Sequence, residues 1–238
     1  MPDLTVAGLA NVRDLGGLRR CDGSLTPSRV FLRAELLDRV TPAGWEFLAG
    51  YGVRTVLDLR RPDEHSGEVP GDVRSVRIDL DGADPEFWEP FEADGRWGTP
   101  LYYADHLARL PDRLAAVLRA IAAAGDGAIL FHCGAGWDRT GLIAAVLLRA
   151  IDVTEDAAAA DYLASFDNAE AMATLHGRSF DVDARHAILA RFGHTAESAF
   201  RDAYRNLDLD AWFSRARIDD ATRVAVTTWR GTADRTPG

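Results

Sequence analysis

Apolar residues are distributed along the chain in two patterns. Short runs rich in Val, Ile, Leu and Phe, bounded by Gly, Pro or Asp, occur at 29–34 (RVFLRA), 52–60 (GVRTVLDLR), 73–80 (VRSVRIDL) and 128–133 (AILFHC), and they predict strands. Helical spacing occupies 42–50, 111–125 and 139–151. The second of these carries Pro111 in its first turn and Gly125 just past its end, with alanines that favour helix between them. Beyond residue 152 the strand pattern stops, and helices are predicted at 154–165, 168–176, 182–192, 195–206 and 217–229. Strands interleaved with helices predict an α/β fold, with a central, mainly parallel sheet flanked by helices and a helical C-terminal half. The stretch 81–100, with its three prolines, three glycines and four large aromatics, reads as a long irregular surface segment and a candidate rim for a site.

At 238 residues and 47% hydrophobic composition, the chain can bury one sizeable core without covalent staples. The expectation is a single domain over 1–238, in which the helical region 152–230 is a candidate lid or subdomain. The two cysteines, Cys21 and Cys133, are too few and too far apart for a disulfide framework or a four-cysteine zinc site, so a cytoplasmic location is expected. The N-terminal residues lack a basic segment followed by an apolar core, and no run approaches eighteen uncharged apolar residues, so no membrane association is expected. A formal charge of −10 opposes nonspecific binding to nucleic acid. All 27 basic residues are arginine, which reads as compositional bias.

The candidate chemistry lies at 131–141, FHCGAGWDRTG. A cysteine six places before an arginine is a weak signal alone; its setting strengthens it. The strand at 128–133 delivers Cys133 to its end, a loop with Gly134, Ala135 and Gly136 follows, and a helix begins at Arg139. Glycines let consecutive backbone N–H groups turn inward, and the helix N-terminus adds unpaired donors and a positive dipole end, which together make a cradle for a dianion. The same field favours the nucleophilic thiolate of Cys133. Arg139 adds a planar fork for phosphoryl oxygens. Thr140 is either a hydroxyl donor to the cysteine sulfur or an ordinary first-turn residue. His132 is a candidate to orient the loop through a ring hydrogen bond, or a structural histidine.

HCGAGWDRTG resembles the HC-x-x-G-x-DRTG phosphate-binding loop of the cysteine-dependent tyrosine phosphatases, especially a bacterial branch with an aspartate before the arginine. Upstream, NVRDLGGLRRCDG (11–23) is similar to that branch's N-x-RDLGG-x-x-x-x-DG opening, VFLRAELL to its next strand, and VLDLRRPDE to its DLR-x-x-x-E segment; DYLASFDN (161–168) resembles the helix after its loop. The resemblance implies hydrolysis of a phosphomonoester by two displacements through a phosphocysteine on Cys133, with no metal and no cofactor. It implies Asp138 as general acid, with Asp58 and Asp63 as alternatives. Arg60 becomes a candidate for holding substrate or loop, and Glu64 for fixing an arginine. Asn11, Arg13 and Asp14 are expected to brace the fold, with Gly16 and Gly17 forming a tight turn. Where the branch commonly has lysine, this chain has Trp137, which is expected either to stack on a substrate ring or to pack under a helical lid. The expected substrate is a phosphotyrosine protein or a small aryl or nucleoside phosphate. The competing expectations are a rhodanese-like sulfurtransferase and a catalytically silent phosphate-binding protein.

Overall fold

Strands β1 (Arg13–Asp14), β2 (Phe31–Ala34), β3 (Val53–Asp58), β4 (Arg74–Arg77) and β5 (Ala128–His132) form one sheet in the computed structural model, which describes residues 4–233. The spatial order is β1-β2-β5-β3-β4, and only the β1–β2 pair is antiparallel. β2 and β5 are buried at every position and β3 at all but Arg54, as expected of parallel strands covered on both faces. Alternation sorts their side chains. Phe31, Leu57, Ile129 and Phe131 enter the larger apolar cluster, whereas Leu32, Ala34, Val56 and Leu130 enter a smaller one with Val6, Val12 and Leu48.

The helices are α1 (Pro42–Tyr51), α2 (Pro85–Asp94), α3 (Tyr103–Arg109), α4 (Pro111–Ala122), α5 (Asp138–Ala150), α6 (Glu155–Asp167), α7 (Ala169–His176), α8 (Val182–Arg191), α9 (Ala196–Arg205), α10 (Leu209–Arg215) and α11 (Asp220–Thr227). α4 and α5 cover one face of the sheet and α1 the other. Among the described residues no helix is long and apolar enough to cross a membrane. The C-terminal half divides in two. Phe200, Tyr204, Trp212, Phe213, Val226 and Trp229 join the same cluster as the sheet, with Trp229 edge-on to Phe31 at 4.6 Å. α7 and the segment leading into α8 instead place Ala169, Met172, Phe180 and Val182 around Trp137, in a separate small cluster over the cysteine loop.

Three expectations need correction. The 81–100 segment is not irregular: it holds α2, started by Asp84, whose side chain accepts from Phe87 N at 3.1 Å, and ended by Gly95 in the left-handed region. Its prolines are compatible with this, Pro85 because the first helical position lacks a backbone partner anyway and Pro90 because buried Trp88 and Phe91 anchor the turn around it. The expected 217–229 helix is shorter, Asp220–Thr227, and the chain before it forms α10. β1 and α3 are additional elements, each too short to leave a period in the sequence.

The N-terminal motif is tied to α6. Asp161, on α6 and 1% exposed, pairs with Arg13 through Nε at 2.7 Å and with Arg33 of β2. Arg13 also donates to Asp161 O (2.7 Å), Ser165 Oγ (2.9 Å) and Asn11 Oδ1 (2.6 Å). Burial, reinforced by Arg33, pushes the Arg13 guanidinium down to about 10, and burial of Asp161 is outweighed by the two arginines, which hold it ionised below its usual range. Asp14 ties the adjoining turn, accepting from Gly16 N (2.8 Å), Arg29 N (2.7 Å) and Tyr51 OH (2.6 Å). Removing one member of such a buried set leaves the others uncompensated. Asp161→Ala is expected to lower stability by about 3–5 kcal/mol, read from the urea unfolding midpoint; a loss below about 1 kcal/mol would mean the set contributes no more than a surface pair.

Candidate active site

The 133–137 loop leaves the C-terminal end of β5, between β2 and β3, where ligands of parallel sheets bind. Its three consecutive carbonyls are all turned outward. Gly134 O accepts from Leu36 N at 3.1 Å, Ala135 O from Asn11 Nδ2 at 2.9 Å, and Gly136 O from Arg33 Nη2 at 2.7 Å. Gly136 has φ +69°, and a Cβ there would lie 2.6 Å from Ala34 O, so both backbone angle and space require glycine. α5 begins at Asp138 without a side-chain cap, which leaves its first N–H groups available to a ligand. Cys133, 3% exposed, lies at the mouth of this cradle.

A cavity of about 190 Å³ opens over it. The loop contributes Cys133, Gly134 and Ala135 to its wall, and the start of α5 contributes Asp138 and Arg139. Glu64, Trp97, Gly98 and Tyr102 come from the segments after β3 and α2, and Arg178 and Arg185 from beyond α7. A larger groove of about 290 Å³ between Arg149, Arg205 and Asp210 contains none of these residues.

Arg139 is gripped end-on by Glu64, with Nη2–Oε1 at 2.7 Å and Nη1 on the other oxygen, while Asp81 Oδ2 lies 3.4 Å from Nη1. This leaves the Nε–H and outer Nη2–H edge of the guanidinium without a protein acceptor among the described residues. Burial works against ionisation of Glu64, but the hydrogen bonds and charge of Arg139 outweigh it and hold the carboxyl below its usual range. Asp81, 1% exposed, goes the other way: burial raises it despite Arg139 and Arg61. Asp138 is also raised by burial, to about 6, with Arg185 and Arg139 pulling against that shift. Arg185 Nη1 reaches both Asp138 oxygens at 3.1 Å, and its guanidinium stacks on the Trp137 ring at 4.8 Å. Tyr103 OH donates to Asp138 O at 2.9 Å.

The fold brings Cys133, Gly134, Ala135, Asp138 and Arg139 together at one cavity, with Glu64 paired to the arginine. Other candidates lie elsewhere. Trp137 is 1% exposed and stacked on Phe166 at 4.8 Å, beneath the helical cover and turned away from the cavity. Arg60 lies outside the cavity wall, spent on Asp58 (Nη2–Oδ2 2.8 Å), Glu64 O and Ser66. His132, 2% exposed, sits on the Asp58 side with Nδ1 3.3 Å from Cys133 O, and burial pushes it down to about 4, so it is neutral. Asp58 is committed to Arg60, and Asp63 lies outside the cavity wall. The Thr140 hydroxyl is buried and makes no hydrogen bond, to Cys133 or to any other group. Asp81, Arg178 and Arg185 had no signal in the sequence, because each is one charged residue among many and reaches the site only through the fold.

The family model described as "Tyrosine phosphatase family" matches residues 4–226. A tyrosine-protein phosphatase of Nostoc commune is 34% identical over 133 residues, which are 54% of this chain and 45% of that protein, so the match spans under half of that relative's length. A putative tyrosine-protein phosphatase of Cupriavidus necator is 28% identical over 96% of this chain and 87% of its own. The triple specificity protein phosphatase PtpB of Mycobacterium tuberculosis is 30% identical over 68% of each. Among solved structures, a cysteine-to-serine variant of P. aeruginosa TpbA in complex with phosphotyrosine covers 77% of this chain and 90% of its own at 20% identity, with a TM-score of 0.37. With the family model spanning nearly the whole chain, and the loop and its arginine assembled around one cavity, this chain belongs to the tyrosine phosphatase family.

Proposed function

We propose that the chain hydrolyses phosphomonoesters without a metal, through a phosphocysteine on Cys133, within one phosphatase domain whose α7–α8 segment covers the site. The observation that carries this reading is the cradle itself: outward carbonyls, an uncapped α5 N-terminus and a half-used Arg139 fork converge beside one thiol. No group of three or more His, Cys, Asp or Glu side chains among the described residues is arranged to hold a metal ion.

In the first displacement the Cys133 thiolate attacks phosphorus, the P–S bond forms, and the P–O bond to the leaving group breaks as Asp138 passes its proton to that oxygen. In the second, Asp138, now a carboxylate, takes a proton from water; the water oxygen bonds to phosphorus and the thiolate leaves. The loop N–H groups and the free edge of Arg139 hold the equatorial oxygens through both steps. Glu64 positions the arginine. Trp97 and Tyr102 contribute aromatic side chains to the cavity wall, which favours a phosphotyrosyl or other aryl phosphate substrate. With Trp137 packed away from the cavity, the reading in which its indole fills the site has no support.

Cys133→Ser is expected to abolish turnover of para-nitrophenyl phosphate in EDTA while inorganic phosphate still binds; near-full activity would rule out the covalent mechanism. The acid form of Asp138 fills below about pH 6 and empties about tenfold per pH unit above it. On a phosphotyrosine peptide, a poor leaving group, kcat is therefore expected to decline on the alkaline side of about pH 6. Asp138→Asn should remove that limb and lower kcat by about 100-fold or more, with a smaller loss on an activated aryl phosphate. Equal losses on both substrates would assign Asp138 to loop architecture instead.

A further inference from the structure

The charged side chains around the cavity come in pairs, with one exception. Arg139 is held by Glu64 and Asp81, and Arg185 by Asp138. Arg178, in the turn between α7 and α8, lines the same cavity with no carboxylate in ion-pair range among the described residues. Its guanidinium lies over the Phe180 ring at 4.9 Å, and its hydrogen bond is a long one, from Nη2 to Gly134 O at 3.5 Å. A Cβ built on Gly134 would lie 3.8 Å from Arg178 Nη2 and 4.0 Å from Arg139 Nη2. Two guanidinium groups from different elements thus converge on the residue directly after Cys133.

We propose that Arg178 is a second binding residue for the phosphoryl dianion, brought to the cradle by the α7–α8 segment. The assignment rests on the phosphatase reading above for the identity of the anion. Its necessity follows from the charges already in place. Glu64 offsets the charge of Arg139, so a dianion entering beside the Cys133 thiolate meets an arginine whose field is largely cancelled. Between Cys133 and Arg139 the loop has no other cation, because Trp137 is apolar and faces the helical cover. Arg178 gives up only a long bond to a neutral carbonyl and gains a charge-assisted pair with phosphoryl oxygens. Being exposed, it can be replaced without leaving a buried partner unsatisfied.

The test is calorimetric titration of inorganic phosphate into the full chain carrying Cys133→Ser, with and without Arg178→Ala, alongside kinetics of Arg178→Ala and Arg178→Lys in the otherwise native chain. Loss of one charge-assisted contact predicts an about tenfold or greater rise in the phosphate Kd, and a matching rise in KM for both para-nitrophenyl phosphate and a phosphotyrosine peptide with kcat within about twofold. Arg178→Lys should recover part of both. An unchanged phosphate Kd overturns the assignment, as does a fall in kcat at constant KM. A KM effect confined to the peptide also overturns it, since Arg178 would then read a neighbouring group and not the phosphoryl. If the native chain turned over no phosphoester, the phosphatase reading would fail, while the phosphate titration would still decide whether Arg178 binds the anion.

Discussion

Three outward-turned carbonyls control this molecule. A loop that is to offer its N–H groups to an anion must send its C=O groups the other way, and buried carbonyls without donors are costly. Here each has its own donor: Leu36 N for Gly134, Asn11 Nδ2 for Ala135 and Arg33 Nη2 for Gly136. Those donors are themselves fixed. Glu35, fully buried, accepts from Asn11 N at 3.0 Å, and Asp161 on α6 holds both Arg13 and Arg33. A segment about a hundred residues or more upstream of the cysteine therefore shapes the cradle directly, and α6, the second helix after the loop, locks that segment down. The buried arginines and aspartate are a connected network in which each hydrogen bond constrains the next, and its product is the orientation of three peptide planes.

The same site shows how burial sorts carboxylates. Glu64, Asp81 and Asp138 all approach Arg139, yet they do not titrate alike. Glu64 keeps one side toward the cavity and receives both arms of the guanidinium, so it stays ionised and acts as a clamp. Asp81 is more deeply enclosed, one of its oxygens lacks any hydrogen-bond donor, and burial wins. Asp138 is likewise raised by burial, but it faces the cavity, where a proton can be handed to a ligand. Environments of this kind push neighbouring acids of the same chemistry apart in their titration.

What was legible in the sequence follows from the range of the forces involved. The buried strands announced themselves because a parallel sheet covered on both faces needs unbroken apolar runs, and the cysteine loop did so because strand, glycines and helix are contiguous. α2 was hidden because its prolines read as breakers; only the core contacts of Trp88 and Phe91 show that a helix is worth forming there. Glu64 was legible as a partner for some arginine, but the arginine's identity was not, since the two lie 75 residues apart. The indole of Trp137 could be placed against a substrate or under a lid with equal logic from the sequence, and the choice was made by Phe166, Met172 and Phe180, residues whose apolar spacing says only that they are buried somewhere.

That position of Trp137 has a mechanical consequence. Its ring is sandwiched between Phe166 of α6 and the Arg185 guanidinium of α8, and its backbone is the last residue of the loop before α5. The next residue, Asp138, is bonded to that same guanidinium through both carboxylate oxygens. One arginine on α8 thus touches the loop's apolar anchor and its acid at once. Burial raises Asp138, and Arg185, the largest opposing influence, acts with Arg139 against that shift, leaving the acid at about 6. The proton affinity of the acid is therefore not a property of the loop that carries it. It is set jointly by the loop and by α8, which carries Arg185, so that helix takes part in the electrostatics of the site.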